Sequence, residues 1–153
     1  MLALPKSERP LPANQHSERV VLGELLLNNA AWSQAKALTE DDFSLSSHRR
    51  IFACIRSRLS RGRPIDTILL IDAMRKAKEL DSMGVAYICD LTTDTTEYIG
   101  EHLILLREKA RLRWLLETAH NLSEWAYSEE DSGAMMVMLT GCLSEIPEPL
   151  ESA

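Results

Sequence analysis

The sequence predicts an all-α protein in which a compact helical bundle is followed by a long helical hairpin. Of its 153 residues, 45% are hydrophobic and only 5% aromatic, and the common Leu, Ala and Glu favour helices. Apolar residues recur at helical spacing, and the stretch from Glu97 to Tyr127 contains no proline. We therefore divide the chain into four parts: an extended N-terminal arm (1–14), a globular helical bundle (15–96), the helical hairpin (97–146) and a tail (147–153).

The first part of the predicted bundle contains two helices and a capping motif. Ser17 is placed to cap the first helix, which Asn28 and Asn29 weaken at its end. The apolar positions of this helix follow helical spacing: Val21, Leu22, Leu25 and Leu26. A short second helix is indicated by Trp32, Ala35 and Leu38. Thr39 and Asp42 then have the spacing of a capping box, directly before Phe43.

Two more helices and a short one complete the predicted bundle. Ser46 or Ser47 is expected to cap a third helix, and Gly62 stands where its C-terminal cap belongs. The apolar face of the third helix is Ile51, Phe52, Ile55 and Leu59. Asp66 is expected to cap a fourth helix that runs to about Lys76. Its inward positions are Leu69, Leu70, Ala73 and Met74. A turn at Gly84 should lead into a short helix.

The last third of the chain predicts a hairpin that is longer than a domain of this size needs. A helix from Glu97 to Tyr127 would be about 45 Å long. A final helix, with an apolar stripe from Met135 to Ile146, should end at Pro147. Because the outer part of such a hairpin finds no apolar partner in the bundle, we expect it to associate with a second copy. The residues expected at this interface are Leu103, Leu106, Leu122, Met135, Met138 and Leu139.

Composition excludes several classes of protein. The net charge of −6 disfavours a general attraction to nucleic acids, so any such contact needs a local basic patch. Cys54, Cys89 and Cys142 form no Cys-x-x-Cys pair, which is typical of reduced thiols in a cytoplasmic protein. No apolar stretch has the pattern of a signal peptide or a membrane span.

Two histidines could suggest chemistry, but simpler interpretations are favoured for both. His48 follows Ser46 and Ser47 and lies near two acidic residues, Asp41 and Asp42, yet neighbours in sequence do not make a catalytic triad. We expect His48 and Arg49 to bond Asp41, Asp42 or backbone carbonyls. His120 and Glu124 are four residues apart on one helix, but no third metal ligand is evident. We therefore predict no catalytic, metal or cofactor site.

The only strongly basic stretch runs from Arg49 to Arg63, with six arginines and no acidic residue. It could contact a nucleic acid or an acidic protein. A solvated helix face balanced by Glu40, Asp41 and Asp42 is the slightly favoured explanation, because aromatic residues are not interleaved for base stacking. The residues of the candidate patch are Arg49, Arg56, Arg58, Arg61 and Arg63. The sequence also contains no P-loop, so this chain alone cannot hydrolyse ATP by that machinery.

Several stretches, taken together, resemble the N-terminal domain of the DnaB-type replicative DNA helicase. They are SERVVLGELLLN (17–28), LTEDDFSLSSHRRIFACI (38–55), GRPIDTILLIDAM (62–74), ELDSMGVAYICDL (79–91) and YIGEHLILLREKARLRWL (98–115). They occur in family order over roughly residues 11–127. The chain departs from the family at Arg19, where a second acid is usual, at Gly84-Val85, where a glycine pair is usual, and at Tyr98 and His102.

The resemblance implies an all-α domain whose hairpins pair to form a collar on a hexameric ring. In that family the collar helps to dock primase, whereas ATP hydrolysis belongs to a RecA-like domain that follows a linker. The implied partners are therefore a second copy, primase or another replisome protein, and a RecA-like domain if the chain is longer. Two alternatives stay open: a stand-alone regulator that binds a helicase or primase, and a helical nucleic-acid-binding protein that uses the arginines.

Overall fold

The fold is all-α, as predicted, and contains seven α-helices in the described residues. The computed structural model describes residues 10–80, 83–128 and 131–151. The helices are α1 (Gln15–Leu27), α2 (Trp32–Ala35), α3 (Ser46–Leu59), α4 (Thr67–Lys76), α5 (Val85–Leu91), α6 (Ile99–Tyr127) and α7 (Ser132–Ser144). Two 3-10 turns, Asn29–Ala31 and Glu40–Asp42, connect the early helices. Residues 1–9 of the predicted arm and residues 152–153 of the tail lie outside the described residues.

The bundle forms around α1, which packs against α3, α5 and α6. The predicted core residues Phe43, Ile51 and Phe52 are fully buried. The Phe43 and Phe52 rings lie 4.7 Å apart between centroids, and Trp32 flanks Phe52 at 6.3 Å. These rings fill the space between α3 and the segment that precedes it.

Several helix ends agree with the capping residues that were predicted from the sequence. The Thr39–Asp42 capping box is present, and Asp66 caps α4 by accepting a hydrogen bond from the amide of Leu69 at 2.8 Å. After α3, Gly62 adopts a left-handed φ of 67°, which glycine tolerates without steric cost. The amide of Arg63 then donates to the carbonyl of Arg58 at 3.0 Å, so the chain folds back tightly against the last turn of α3.

Three predicted helix details were wrong. Asn14, not Ser17, caps α1, because Ser17 is buried inside the helix, where its hydroxyl lies 2.9 Å from His102. Neither Ser46 nor Ser47 caps α3, which begins after Leu45 without a side-chain cap. In α4, Leu70 and Met74 are buried as predicted, but Leu69 faces solvent.

The predicted division at residue 96 also needs a correction. The first three turns of α6 belong to the core of the bundle, where Ile99, Leu103, Leu106 and Ala110 are buried. The free part of the hairpin therefore begins near Trp114. Beyond α7, the tail returns towards the bundle, and Leu150 packs against the core.

Candidate interaction surfaces

The apolar surface of α7 is the most unusual feature of the molecule. Its 13 residues, SGAMMVMLTGCLS, include no charged side chain, and none of them is buried. Met136 and Val137 are 62% and 73% exposed, and Met138 and Leu143 are also exposed. A helix without charged side chains is more often found inside a protein than on its surface, so the exposure of α7 is unusual.

The outer half of α6 extends this surface. α6 packs against α7, and beyond Arg113 none of its described residues is buried. Leu115, Leu116 and Tyr127 are exposed. We call these residues, together with those of α7 just named, the hairpin surface: Leu115, Leu116, Tyr127, Met136, Val137, Met138 and Leu143.

The structure divides the residues that were predicted for the interface. Met138 belongs to the hairpin surface, and Leu122, Met135 and Leu139 are half-buried. Leu103 and Leu106, in contrast, are buried in the core of the bundle and cannot contact a second copy. They were assigned to the interface because they share the helical spacing of the apolar residues further along α6. The same helix contributes its first half to the core and its second half to the hairpin.

The base of the hairpin is fixed to the bundle by Arg107. Its Nε lies 2.7 Å from Oδ1 of the buried Asp42, and Nη2 donates to the Ala37 carbonyl at 2.6 Å. Nε and Oδ1 are not aligned as a hydrogen bond, but Nη2 also donates to Oδ2 of Asp42 at 3.0 Å. Asp42 also accepts from the amide of Thr39 at 2.7 Å. The capping box therefore positions the carboxylate that anchors α6.

Two other arginines of α6 donate hydrogen bonds to backbone carbonyls near the two ends of the described chain. Arg113 donates to the carbonyls of Pro12 and Asp41 at 2.9 and 2.8 Å. Burial lowers the pKa of Arg113, and the nearby carboxylates of Glu18 and Asp42 offset this only in part. Arg111 donates to the carbonyl of Pro147 at 2.6 Å. The arm and the tail are thus both attached to the helix that forms the hairpin.

His48 belongs to a buried network, and the partners that were predicted for it were wrong. Its Nδ1 lies 2.6 Å from Oε2 of Glu18, and its Nε2 lies 2.5 Å from the hydroxyl of Tyr87. Ser44 donates to the other oxygen of Glu18 through its amide and its hydroxyl, at 2.8 and 2.5 Å. Burial raises the pKa of Glu18, but the hydrogen bonds from His48 and Ser44 outweigh it, and the pKa lies below its usual value.

This network connects helices and does not present a reactive group. His48 is completely buried, and both of its ring nitrogens are occupied. The ring of Tyr87 is covered by the guanidinium of Arg19 at 5.4 Å. Arg19 also pairs with Asp90 and Asp94 at 2.8 Å each. Glu18, His48 and Tyr87 therefore join α1, α3 and α5, which is a structural role.

The arginines between residues 49 and 63 do not form one continuous patch. Arg49 lies at the first turns of α3, where its Nε donates to the carbonyl of Phe43 at 2.7 Å. It is separated from Arg56 by about 10 Å along the helix. Arg50 lies beside Arg49, and the remaining four lie at the far end of α3 or just beyond it. We call Arg56, Arg58, Arg61 and Arg63 the arginine cluster.

The described residues offer no site for a metal. No group of three or more His, Cys, Asp or Glu side chains comes together within ranges 10–80, 83–128 and 131–151. His120 and Glu124 lie exposed on the outer half of α6. Across the same ranges, no helix combines the length and the apolar character needed to cross a lipid bilayer.

Comparison with known proteins shows the family. The family model described as "DnaB-like helicase N terminal domain" matches residues 10–108, about two thirds of the chain. The chain therefore belongs to the DnaB-like helicase N-terminal domain family, which confirms the resemblance noted in the sequence. The match to an N-terminal domain agrees with the absence of a P-loop from these 153 residues.

Similar curated proteins are replicative DNA helicases. The chain is 30% identical over 131 residues to the replicative DNA helicase DnaB of Haemophilus influenzae, covering 83% of this chain and 28% of that protein. It is 33% identical over 121 residues to DnaB of Pasteurella multocida, covering 76% and 26%. The chain thus spans less than a third of the length of these relatives.

Two solved structures share the fold. The N-terminal domain of DnaB helicase from Mycobacterium tuberculosis matches with a TM-score of 0.82 at 22% identity, over 90% of this chain and 100% of that chain. A DnaB-like replicative helicase, whose structure was described with its interactions with primase, matches with a TM-score of 0.70 at 20% identity. That match covers 87% of this chain and 31% of the helicase chain.

Proposed function

We propose that this chain is a non-catalytic interaction module of DNA replication that pairs with a second copy through its hairpin and docks primase or another replisome protein. The observation that carries the proposal is the uncharged and unburied helix α7. Family membership supports the replication role, because the similar curated proteins are replicative DNA helicases.

The size of the hairpin supports pairing. α6 has 29 residues and is about 44 Å long, of which the bundle buries only the first half. The remaining half and α7 present apolar side chains on the hairpin surface. Soluble monomers rarely leave a large continuous apolar patch in water. A two-fold contact between identical surfaces would cover the hairpins of both copies at once.

The test is to place a charge on the hairpin surface without disturbing the fold. Val137→Glu is suitable because this side chain is 73% exposed. The matched control is Ile68→Glu on α4, where an apolar side chain is 77% exposed but lies on the bundle. We expect the wild-type chain and the control to sediment as dimers or larger assemblies, and Val137→Glu to sediment as a folded monomer. A wild-type chain that stays monomeric at high concentration would refute pairing.

Val137 is a better position for this test than Leu122. Leu122 is half-buried, so a charged residue there would also disturb the packing of the hairpin. A loss of association with Leu122→Glu could then reflect unfolding. Met138 is exposed, and Met138→Glu serves as a second position on the hairpin surface. Circular dichroism of each variant establishes that the helices are retained.

Docking of a replisome protein is the second part of the proposal. It is supported by the helicase of the same fold whose structure was described with its interactions with primase. Primase from the same genome would be titrated into the labelled chain and followed by sedimentation. We expect a complex with the wild-type chain, and comparison with Val137→Glu tells whether docking requires the paired hairpins. If no complex forms at any concentration tested, primase is not the partner.

A further inference from the structure

We propose that the arginine cluster at the end of α3 is a binding site for the phosphodiester backbone of a nucleic acid. The site does not depend on pairing of the hairpins. The chain as a whole carries a net charge of −6, so the cluster is a local exception to its acidic surface.

The fold brings the four arginine positions to one end of α3. The left-handed turn at Gly62 folds residues 61–63 back, and the Arg63 amide bonds to the Arg58 carbonyl at 3.0 Å. The side chain of Arg58 donates to the carbonyl of Pro64 at 3.0 Å and holds the chain that follows. Arg61 and Arg63 are therefore kept beside the last turn of α3, which carries Arg56 and Arg58.

Positive charge predominates in the cluster. Arg56 pairs with Glu40 at 2.8 Å, but among the described residues Arg58, Arg61 and Arg63 take part in no ion pair within 4.0 Å. Glu79 is within electrostatic reach, because Glu79 and Arg58 both act on the thiol of Cys54. The four arginines thus outnumber the two nearby carboxylates, Glu40 and Glu79, and Arg61 and Arg63 are exposed to solvent.

Stabilisation of α3 by its own dipole explains only part of this arrangement. Cationic side chains in the last turn of a helix interact favourably with its C-terminus, and this applies to Arg56 and Arg58. The effect falls off within that turn. Arg61 and Arg63 lie beyond the end of the helix, so their positive charge is available to a ligand.

A shallow depression within the cluster has the chemistry that a phosphate needs. Its volume is about 290 Å³, and its lining residues are Glu40, Ala53, Arg56, Ser57, Ser60 and Arg61. The guanidinium groups of Arg56 and Arg61 and the hydroxyl of Ser57 can donate hydrogen bonds, as arginine and serine do to phosphate oxygens in protein–DNA complexes. The Ser60 hydroxyl already donates to the Arg56 carbonyl. Because no aromatic side chain lines the depression, bases cannot stack there and binding should not depend on sequence.

The test measures binding to a fluorescein-labelled oligothymidylate by anisotropy over a series of salt concentrations. Contacts to four phosphates of a single strand should give a slope of about −2.8 for log K against log salt, at about −0.7 for each contact. Arg61→Ala combined with Arg63→Ala should reduce the slope to about −1.4. Arg61→Lys combined with Arg63→Lys keeps the charge and should keep most of the slope.

The matched control removes the same charge from another helix end. Arg75→Ala combined with Lys76→Ala affects exposed side chains of α4 and should leave the slope unchanged. Thermal melts establish that all variants fold. A double-stranded oligonucleotide shows which nucleic acid is preferred, and binding of either form supports the proposal. Equal losses in the cluster variant and the control would overturn it, as would a wild-type chain that binds polyglutamate but neither oligonucleotide.

Discussion

Glu18 and His48 form a completely buried pair, with Oε2 of Glu18 lying 2.6 Å from Nδ1 of His48. The two residues belong to α1 and α3, and the same carboxylate accepts hydrogen bonds from Ser44. This pair therefore joins the centre of the bundle to the start of α3.

Removing the carboxylate should strongly destabilise the bundle. Glu18→Ala leaves His48 and Ser44 without their acceptor in a buried site, and losing one member of a buried pair costs about 3–5 kcal/mol. Glu24→Ala on the same helix is the control, because a partly exposed side chain should change stability by no more than about 0.5 kcal/mol. Urea unfolding gives both values. Similar free energies of unfolding for the two variants would contradict the role of the pair.

Glu18 should also make the bundle sensitive to acid. Its pKa in the folded state lies below its usual value, so the ionised carboxylate stabilises the fold at every pH above the unfolded pKa of about 4.3. This stabilisation is lost as the pH falls through the lower, folded pKa. Glu18→Gln should therefore lose less stability than the wild type between neutral and acidic pH. Urea unfolding at several pH values, with Glu24→Gln as control, measures the difference.

Much of the fold was predictable because its signals are local. Helical spacing along α1, α3 and α6 was sufficient to place these helices, and Thr39, Asp66 and Gly62 fulfilled their predicted roles at helix ends. The site residues were harder to predict because their partners are distant in sequence. His48 contacts residues 30 and 39 positions away, and no local pattern indicates Glu18 or Tyr87.

The failed cap at Ser17 has the same cause. Serine near a helix start usually accepts a hydrogen bond from a free amide, which is why the sequence favoured it. The structure places α6 against this end of α1, so the hydroxyl of Ser17 meets His102 and Asn14 takes the cap. Leu103 and Leu106 are likewise buried because α6 crosses the bundle at these residues. Helical periodicity alone does not predict where two helices cross.

Phe52 should be among the most sensitive residues of the core. It is completely buried and contacts the rings of Phe43 and Trp32. Phe52→Ala leaves a cavity and should lower the free energy of unfolding by about 3–5 kcal/mol. Tyr98→Ala removes an exposed aromatic ring and should have little effect. Thermal melting of the two variants compares them directly, and an unchanged midpoint for Phe52→Ala would refute its place in the core.

Gly23 should tolerate no side chain, because the backbone at the end of α5 packs directly against α1 at this residue. A Cβ atom at this position would lie 2.1 Å from the carbonyl oxygen of Leu91, far inside van der Waals contact. The obstacle is backbone, so relief requires moving α5, which also carries the ion pair between Asp90 and Arg19. Gly23→Ala should therefore destabilise the protein although alanine favours a helix by about 1 kcal/mol.

Gly100 provides the matched control for this prediction. It lies in the first turn of α6, and a Cβ there would meet only the side chain of Gln34 at 3.6 Å, an ordinary contact distance. Gly100→Ala should leave stability unchanged or raise it slightly, since alanine restricts the unfolded chain more than glycine does. Opposite signs for the two Gly→Ala changes in urea unfolding would establish the close contact between α1 and α5. A stabilising Gly23→Ala would show that the two helices can separate at little cost.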